Sequence, residues 1–191
     1  CFENCSSLET VQLSSKIEQI GYRAFRNCTS LSNINWPNSI RKLEGQAFIN
    51  CTSLSKAELS PSLEEMDGSV FVDCINITSV TVNDGCAIIG ENAFCGCTKL
   101  KSINIPNSVT TLGSYAFNGC KALTNATIGN GVKLISNYCF ENCSSLETVQ
   151  LGSKIEQIGY RAFRNCTSLS NINWLNSIRK LDGQAFISCT S

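Results

Sequence analysis

Thirteen cysteines carry most of the chemical capacity of this 191-residue chain. A thiol can close a disulfide, hold a metal, or act as a nucleophile once ionised. Each role needs a particular neighbour. Nucleophilic thiols and hydroxyls are commonly activated by an imidazole, and the chain contains no histidine. That absence removes Ser-His and Cys-His pairs and every His-ligated metal site. Carboxylates offer no substitute. Asp67, Asp73 and Asp84 fall at different phases of the repeat described below, Asp182 repeats Asp67 five turns on, and no phosphate-binding glycine loop or G-x-S-x-G elbow occurs. The expectation is a non-enzymatic protein with no catalytic residue, cofactor or metal.

Spacing decides what the cysteines do. Nine of them, Cys5, Cys28, Cys51, Cys74, Cys97, Cys120, Cys143, Cys166 and Cys189, recur every 23 residues, each three places after a phenylalanine. Three places further on stands Leu8, Leu31, Leu54, Ile77, Leu100, Leu123, Leu146 or Leu169. The unit reads A-F-x-x-C-x-x-L-x-x-I-x-I-x-x-x-I-x-x-I-G-x-x, without insertion or deletion. A strict period of this length implies a solenoid, with one turn per unit and equivalent residues stacked. Laddered thiols would then sit in register about one strand spacing, ~4.8 Å, apart. A disulfide needs converging Cβ atoms at ~3.5–4.5 Å. Packing as small buried hydrophobes is therefore preferred to a disulfide or to metal binding. Cys1, Cys139 and Cys86 take small or apolar columns and have the same explanation. Cys95 shares a column with Arg26 and Glu141, so it is the expected accessible thiol.

The elements that position these residues follow from alternation. In Leu31-Ser32-Asn33-Ile34-Asn35-Trp36 the apolar and polar residues alternate as in a half-buried strand. Eight equivalents predict a parallel sheet on one face. Pro37-Asn38-Ser39 and its equivalents turn the chain. The return carrying Ile40, Leu43, Ala47 and Phe48 is expected to mix a short extended piece with a helical or 3₁₀ turn at A-F-x-x-C. One repeat cannot bury its own faces, but stacked repeats can. Trp36 and Trp174 share the inward column of Leu13, Ile105 and Ile128 and read as core.

Outward positions of the sheet make two rows. Candidate binding residues on them are Asn33, Asn35, Lys56, Glu58, Thr81, Asn104, Asn125, Thr127, Gln150, Asn171 and Asn173. The rows lack the Trp, Tyr and Arg that dominate tight interfaces, so weak, avidity-driven binding is expected, with plain solvation as the competing reading. Glu18, Arg41, Glu64, Glu156 and Arg179 form a column of alternating sign suited to pairing between turns. Tyr22, Arg23, Arg26 and their copies Tyr160, Arg161, Arg164 are the aromatic–basic clusters; a solvated turn is preferred there to a contact with anionic glycan or protein. Of seven N-x-S/T sequons, at Asn4, Asn27, Asn50, Asn76, Asn125, Asn142 and Asn165, five follow from the repeat itself.

Charge sets outer limits. Fifteen Lys+Arg balance fifteen Asp+Glu. A neutral chain without basic clusters lacks the footprint of a nucleic-acid binder. No apolar run reaches the ~18–20 residues that span a bilayer, so this segment is not expected to insert into a membrane.

The pattern in Ile103-Asn104-Ile105-Pro106-Asn107-Ser108-Val109 and Ile20-Gly21-Tyr22-Arg23-Ala24-Phe25-Arg26-Asn27-Cys28 resembles the BspA-like, or Treponema pallidum type, leucine-rich repeats. The resemblance covers the chain. It implies a leucine-rich-repeat solenoid, displayed at the cell surface or secreted, that acts as a non-enzymatic interaction scaffold. Adhesion to a protein or glycan ligand on a host surface or matrix is the implied role; a passive spacer carrying another domain is the rival. Residues 1–191 are expected to form one array of about eight turns.

A longer period overlies the short one. Residues 1–53 recur as 139–191, six turns on, with 49 of 53 identical. The differences are Ser14/Gly152, Pro37/Leu175, Glu44/Asp182 and Asn50/Ser188. The array thus reads as grown by copying a six-turn block. Without polar caps it reads as an uncapped fragment, for which end-to-end self-association is expected.

Overall fold

The computed structural model describes residues 1–190; Ser191, the last residue of the expected array, lies outside them. Two rows of short parallel strands alternate along the chain. The front row runs from Thr10–Val11 and Asn33–Ile34 through Ser102–Ile105 and Asn125–Ile128 to Asn171–Ile172. The back row runs from Gln19–Ile20 and Lys42–Leu43 to Lys180–Leu181. Pairing is in register at the repeat distance, as with Thr10 beside Asn33 and Thr127 beside both Asn104 and Gln150. This is the parallel solenoid that the period requires.

The front row is not one continuous eight-stranded sheet. It divides into sheets of two, two and four strands, with seams before Lys56–Glu58 and before Ser102–Ile105. At the first seam the bulky Trp36 indole packs against Phe48 and Phe71, at 5.4 and 6.2 Å. A cavity of about 220 Å³, lined by Asn33, Trp36 and Lys56 among others, lies at this seam. At the second, Lys101 N–H still donates to the Thr78 carbonyl at 3.3 Å, so the turns keep register.

The expected helical or 3₁₀ turn at A-F-x-x-C is absent from the described residues. Left-handed backbone at Arg23 (φ 55°) and Asn27 (φ 60°), four residues apart, stops helix propagation. Alternate amides are satisfied between turns instead, while Ala24, Arg26 and Cys28 bond to carbonyls three residues back in their own turn. Phe25 N–H donates to the Ala47 carbonyl at 2.8 Å, Phe48 to Val70 at 2.9 Å, and Phe94 to Ala116 at 2.8 Å. The segment thus forms a third backbone ladder. Left-handed φ also explains the five sequon asparagines that precede a ladder cysteine, Asn4, Asn27, Asn50, Asn142 and Asn165, since Asn tolerates that conformation better than most side chains. Asn27 Nδ2 donates to Asn4 Oδ1 at 2.8 Å, Asn50 to Asn27 at 2.9 Å, and Asn165 to Asn142 at 2.8 Å.

Behind these ladders the phenylalanines form an unbroken stack. Successive centroids are 5.1–5.4 Å apart and ring planes differ by 2–12°. Phe48 to Phe163 are fully buried. Trp36 is half-buried between its neighbours, but Trp174 is 58% exposed with only Phe186 against it, at 5.5 Å, so its reading as core is corrected.

The cysteine column completes the core by hydrogen bonding as well as by filling space. Cys74 Sγ donates to the Phe48 carbonyl at 3.0 Å and Cys97 Sγ to that of Phe71 at 3.3 Å. Each such carbonyl already accepts the Cys N–H of its own turn, as Phe48 does from Cys51 at 3.1 Å. The thiol takes the second lone pair, which a methyl group could not use. Cysteines throughout the described residues are free thiols. Burial pushes the Cys28 thiol up to about 11, and Cys97 stands well above the ordinary range, with the Cys120 thiol adding to the effect of burial.

A neutral, buried thiol is a poor nucleophile. With a maleimide at neutral pH, the native protein should label quickly at the exposed Cys1 and Cys5 and slowly at the half-buried Cys95 and Cys189. Cys51 to Cys166 of the ladder should label only on unfolding. Fast native labelling of Cys97, read by peptide mass spectrometry, would contradict this packing. Replacing Phe94 by Ala should cost about 3–5 kcal/mol in denaturant unfolding.

Candidate interaction surface

The front strands present alternate side chains outward, and the register places the sequence-derived residues in two rows. Asn33 lies beside Thr10, Lys56 beside Ser79, and Glu58 beside Thr81. Asn125 lies between Ser102 and Thr148, and Asn171 beside Thr148. Nine of the eleven candidates are exposed; Asn35 and Asn173 are half-buried.

Those two spend their amides on the fold. Asn35 Oδ1 accepts the Leu13 N–H at 2.6 Å, and its Nδ2 donates to the Leu13 carbonyl at 3.0 Å. Asn173 grips Leu151 in the same way, at 2.6 and 3.0 Å. Both stand where a front strand stops after two residues, Asn33–Ile34 and Asn171–Ile172. The side-chain amide takes over as a further rung of the ladder. Sequence type alone does not separate these asparagines from Asn104, which occupies the same column and makes no such bond.

Two further candidates neutralise each other. Lys56 Nζ donates to Glu58 Oε1 at 2.8 Å. Both are about two-thirds exposed, so the pair contributes at most ~1 kcal/mol. Asn125 donates to its neighbour Thr124 Oγ1 at 2.9 Å.

Asn33 and Asn171 are also unspent but stand apart in the first row; that leaves Thr81, Asn104, Thr127 and Gln150. They occupy one row on four successive turns and line a single groove of about 580 Å³. Its other wall is the turn row Asn83, Asp84, Asn107 and Asn130, which outward-strand reasoning did not include. The signal for that wall was the recurring turn chemistry after each strand. Asn107 Oδ1 accepts the Asn130 N–H at 2.8 Å, and Asn130 Oδ1 accepts the Ser153 N–H at 2.7 Å, which braces this wall between turns. Glycine permits the close approach there: a side chain on Gly129 would overlap the Pro106 carbonyl. The groove offers hydroxyls, amides and one carboxylate, groups that recognise polar surfaces by hydrogen bonding.

Elsewhere, the alternating charge column pairs at Arg41 and Glu64, while Lys42 bridges Glu65 and Asp67 at 3.2 and 3.5 Å. Neither Glu18 nor Arg179 makes an ion pair among the described residues. Tyr115 and Tyr138, unremarked in the sequence despite their 23-residue spacing, stack at 4.5 Å, and Tyr138 meets Tyr160 edge-on at 5.4 Å. Among the described residues no helix is long and apolar enough to cross a membrane.

Comparison with known proteins fits this geometry. A family model for a BspA type leucine rich repeat region of six copies matches residues 1–87 and 68–191. The leucine-rich repeat protein of T. pallidum is 30% identical with a TM-score of 0.78, over 84% of this chain and 78% of that one. A leucine rich cell surface protein from Faecalibacterium prausnitzii is 25% identical with a TM-score of 0.54, over 95% of this chain and 65% of that one. The pneumococcal vaccine antigen PcpA shares the fold at 22% identity and a TM-score of 0.65, over 95% of this chain and 54% of that one. The chain thus spans less than two thirds of the last two proteins. No curated protein sequence matches it.

The division between spent and unspent side chains is measurable. Replacing Asn35 or Asn173 by Ala leaves a backbone donor and acceptor without a partner and should cost about 1–3 kcal/mol. Asn104→Ala should change unfolding free energy by less than about 0.5 kcal/mol. Equal costs at the two sites would contradict the assignment.

Proposed function

The chain belongs to the BspA-type leucine-rich repeat family, and from that premise we propose that it is a non-enzymatic adhesion scaffold, at the cell surface or secreted, that binds a host or extracellular-matrix protein. The family supports a protein-interaction role in general. The F. prausnitzii relative, described as a cell surface protein, supports the location.

The groove across Thr81, Asn104, Thr127 and Gln150 carries the reading for this chain. Four unspent polar side chains on consecutive turns, braced from behind by the Phe stack, make a pre-organised hydrogen-bonding surface. Without aromatic or arginine anchors on this face, each contact is weak. Affinity then comes from repetition along the array and between copies on one surface. A passive spacer is the rival reading, favoured by the same lack of anchors.

Asn104→Arg together with Thr127→Arg would fill the groove without disturbing the core. Wild-type protein should bind at least one member of a panel of immobilised extracellular-matrix proteins, and the double variant should bind it about ten-fold or more weakly. Asn171→Arg, outside the groove, should bind as wild type does. Binding unaffected by the groove variant would remove the site, and no binding by wild type to the panel or to host cells would favour the spacer.

A further inference from the structure

A second row of side chains, away from the groove, contains two arginines that the fold holds ready. It consists of the left-handed residues two places before each phenylalanine. From Arg23 to Arg161 their φ values lie between 53° and 63°, so the side chains leave the backbone alike on every turn. Gln46, Ser69, Asn92, Tyr115 and Tyr138 stand between the arginines, and none of them is charged.

Each arginine is built in. The Arg23 guanidinium lies 4.8 Å over the Tyr22 ring, and its Nε donates to Gln46 Oε1 at 2.7 Å. The Tyr22 hydroxyl donates to the same oxygen at 3.3 Å. Arg161 repeats this on Tyr160 at 4.8 Å, with its Nε on Gln184 Oε1 at 2.6 Å and the Tyr160 hydroxyl at 3.2 Å. Nη1 and Nη2 of both arginines make no bond to any of the described residues. The fork is therefore oriented and open. Neighbouring charges are otherwise engaged. Arg26 pairs with Glu3 at 2.8 Å and Arg164 with Glu141 at 2.9 Å. Glu44 accepts the Tyr22 N–H at 2.6 Å, and Asp182 takes Lys180 at 2.8 Å. Glu91 is the one carboxylate in the adjoining row from Tyr22 to Tyr160. The two open forks are six turns apart, roughly 29 Å at ~4.8 Å per turn.

A guanidinium fixed at Nε presents its remaining N–H groups to a planar oxyanion. Two such forks joined by hydroxyl, amide and tyrosine side chains suit a long polymer rich in hydroxyls and sparse in charge. Nucleic acid would need many more cations along the row. We propose that this row binds an acidic polysaccharide of low charge density, with carboxylates at Arg23 and Arg161 and the sugar backbone lying over the residues between. The site is independent of the groove.

Hyaluronan, with one carboxylate per disaccharide, is the probe. Long hyaluronan should bind the full chain measurably by biolayer interferometry at low salt, and a tetrasaccharide too short to reach both forks should bind about ten-fold or more weakly. Arg23→Gln or Arg161→Gln should reduce long-chain binding to the tetrasaccharide level, and the double variant should abolish it. Arg41→Gln, which removes an exposed cation elsewhere, should leave binding unchanged. Far-UV circular dichroism and denaturant unfolding check that each variant folds. The proposal is overturned by no hyaluronan binding, by an equal loss with Arg41→Gln, or by a tetrasaccharide as tight as the polymer. Tighter binding of polyglutamate or heparin than of hyaluronan would overturn it too, in favour of dense charge.

Discussion

No turn of this protein can satisfy its own backbone. Twenty-three residues make two strands too short to fold back on each other and a third segment of tight turns with left-handed residues four apart, such as Arg23 and Asn27. Amides of the strands, and alternate amides of the third segment, therefore find their carbonyls on a neighbouring turn. Phe25 bonding to Ala47 and Arg41 bonding to Glu18 are instances on two sides of the coil. The same dependence holds for burial, because each phenyl ring is covered by the rings above and below it. Stability is then a sum of nearest-neighbour interfaces. A one-residue slip would break the ladders and the stack together, which is why the period tolerates no insertion.

That constraint recruits polar side chains to structural work. From Cys28 to Cys189 the thiol of each ladder cysteine fills the second lone pair of a phenylalanine carbonyl. Asparagines at the left-handed corner bond to one another along the array. Asn35 and Asn173 extend strands that end early. The two proposed recognition surfaces draw on side chains that the ladders leave over: four in the groove on the front, and two clamped arginines on the return side. Function in such a fold depends on which repeated positions are released from structural duty, since the backbone is nearly the same on every turn.

Much of this was legible in the sequence. Periodicity alone placed the Phe, Cys and Leu columns, because a side chain in a register-locked coil has one possible neighbour, its equivalent 23 residues away. It also placed the outward rows of Asn33 and Asn35. It could not tell that Asn35 is spent and Asn104 is free, since that depends on where each strand stops. The helical turn expected at A-F-x-x-C was lost to left-handed residues such as Arg23 and Tyr138, whose side chains give little hint of that conformation. Trp36 and Trp174 looked equivalent by column, yet only Trp36 has rings beyond it to cover it. Contacts between different columns, such as the edge-on meeting of Tyr138 with Tyr160, lie outside what a single period can show.

Residue-level amide hydrogen exchange tests the central claim most directly. If each turn is completed only by its neighbour, the amides of Phe71, Phe94 and Phe117 should exchange slowly and at similar rates, through opening of the stack. Exchange of these amides at the rates of an unstructured peptide, while the front strands stay protected, would show that the third ladder does not exist and that the turns do not nest as described.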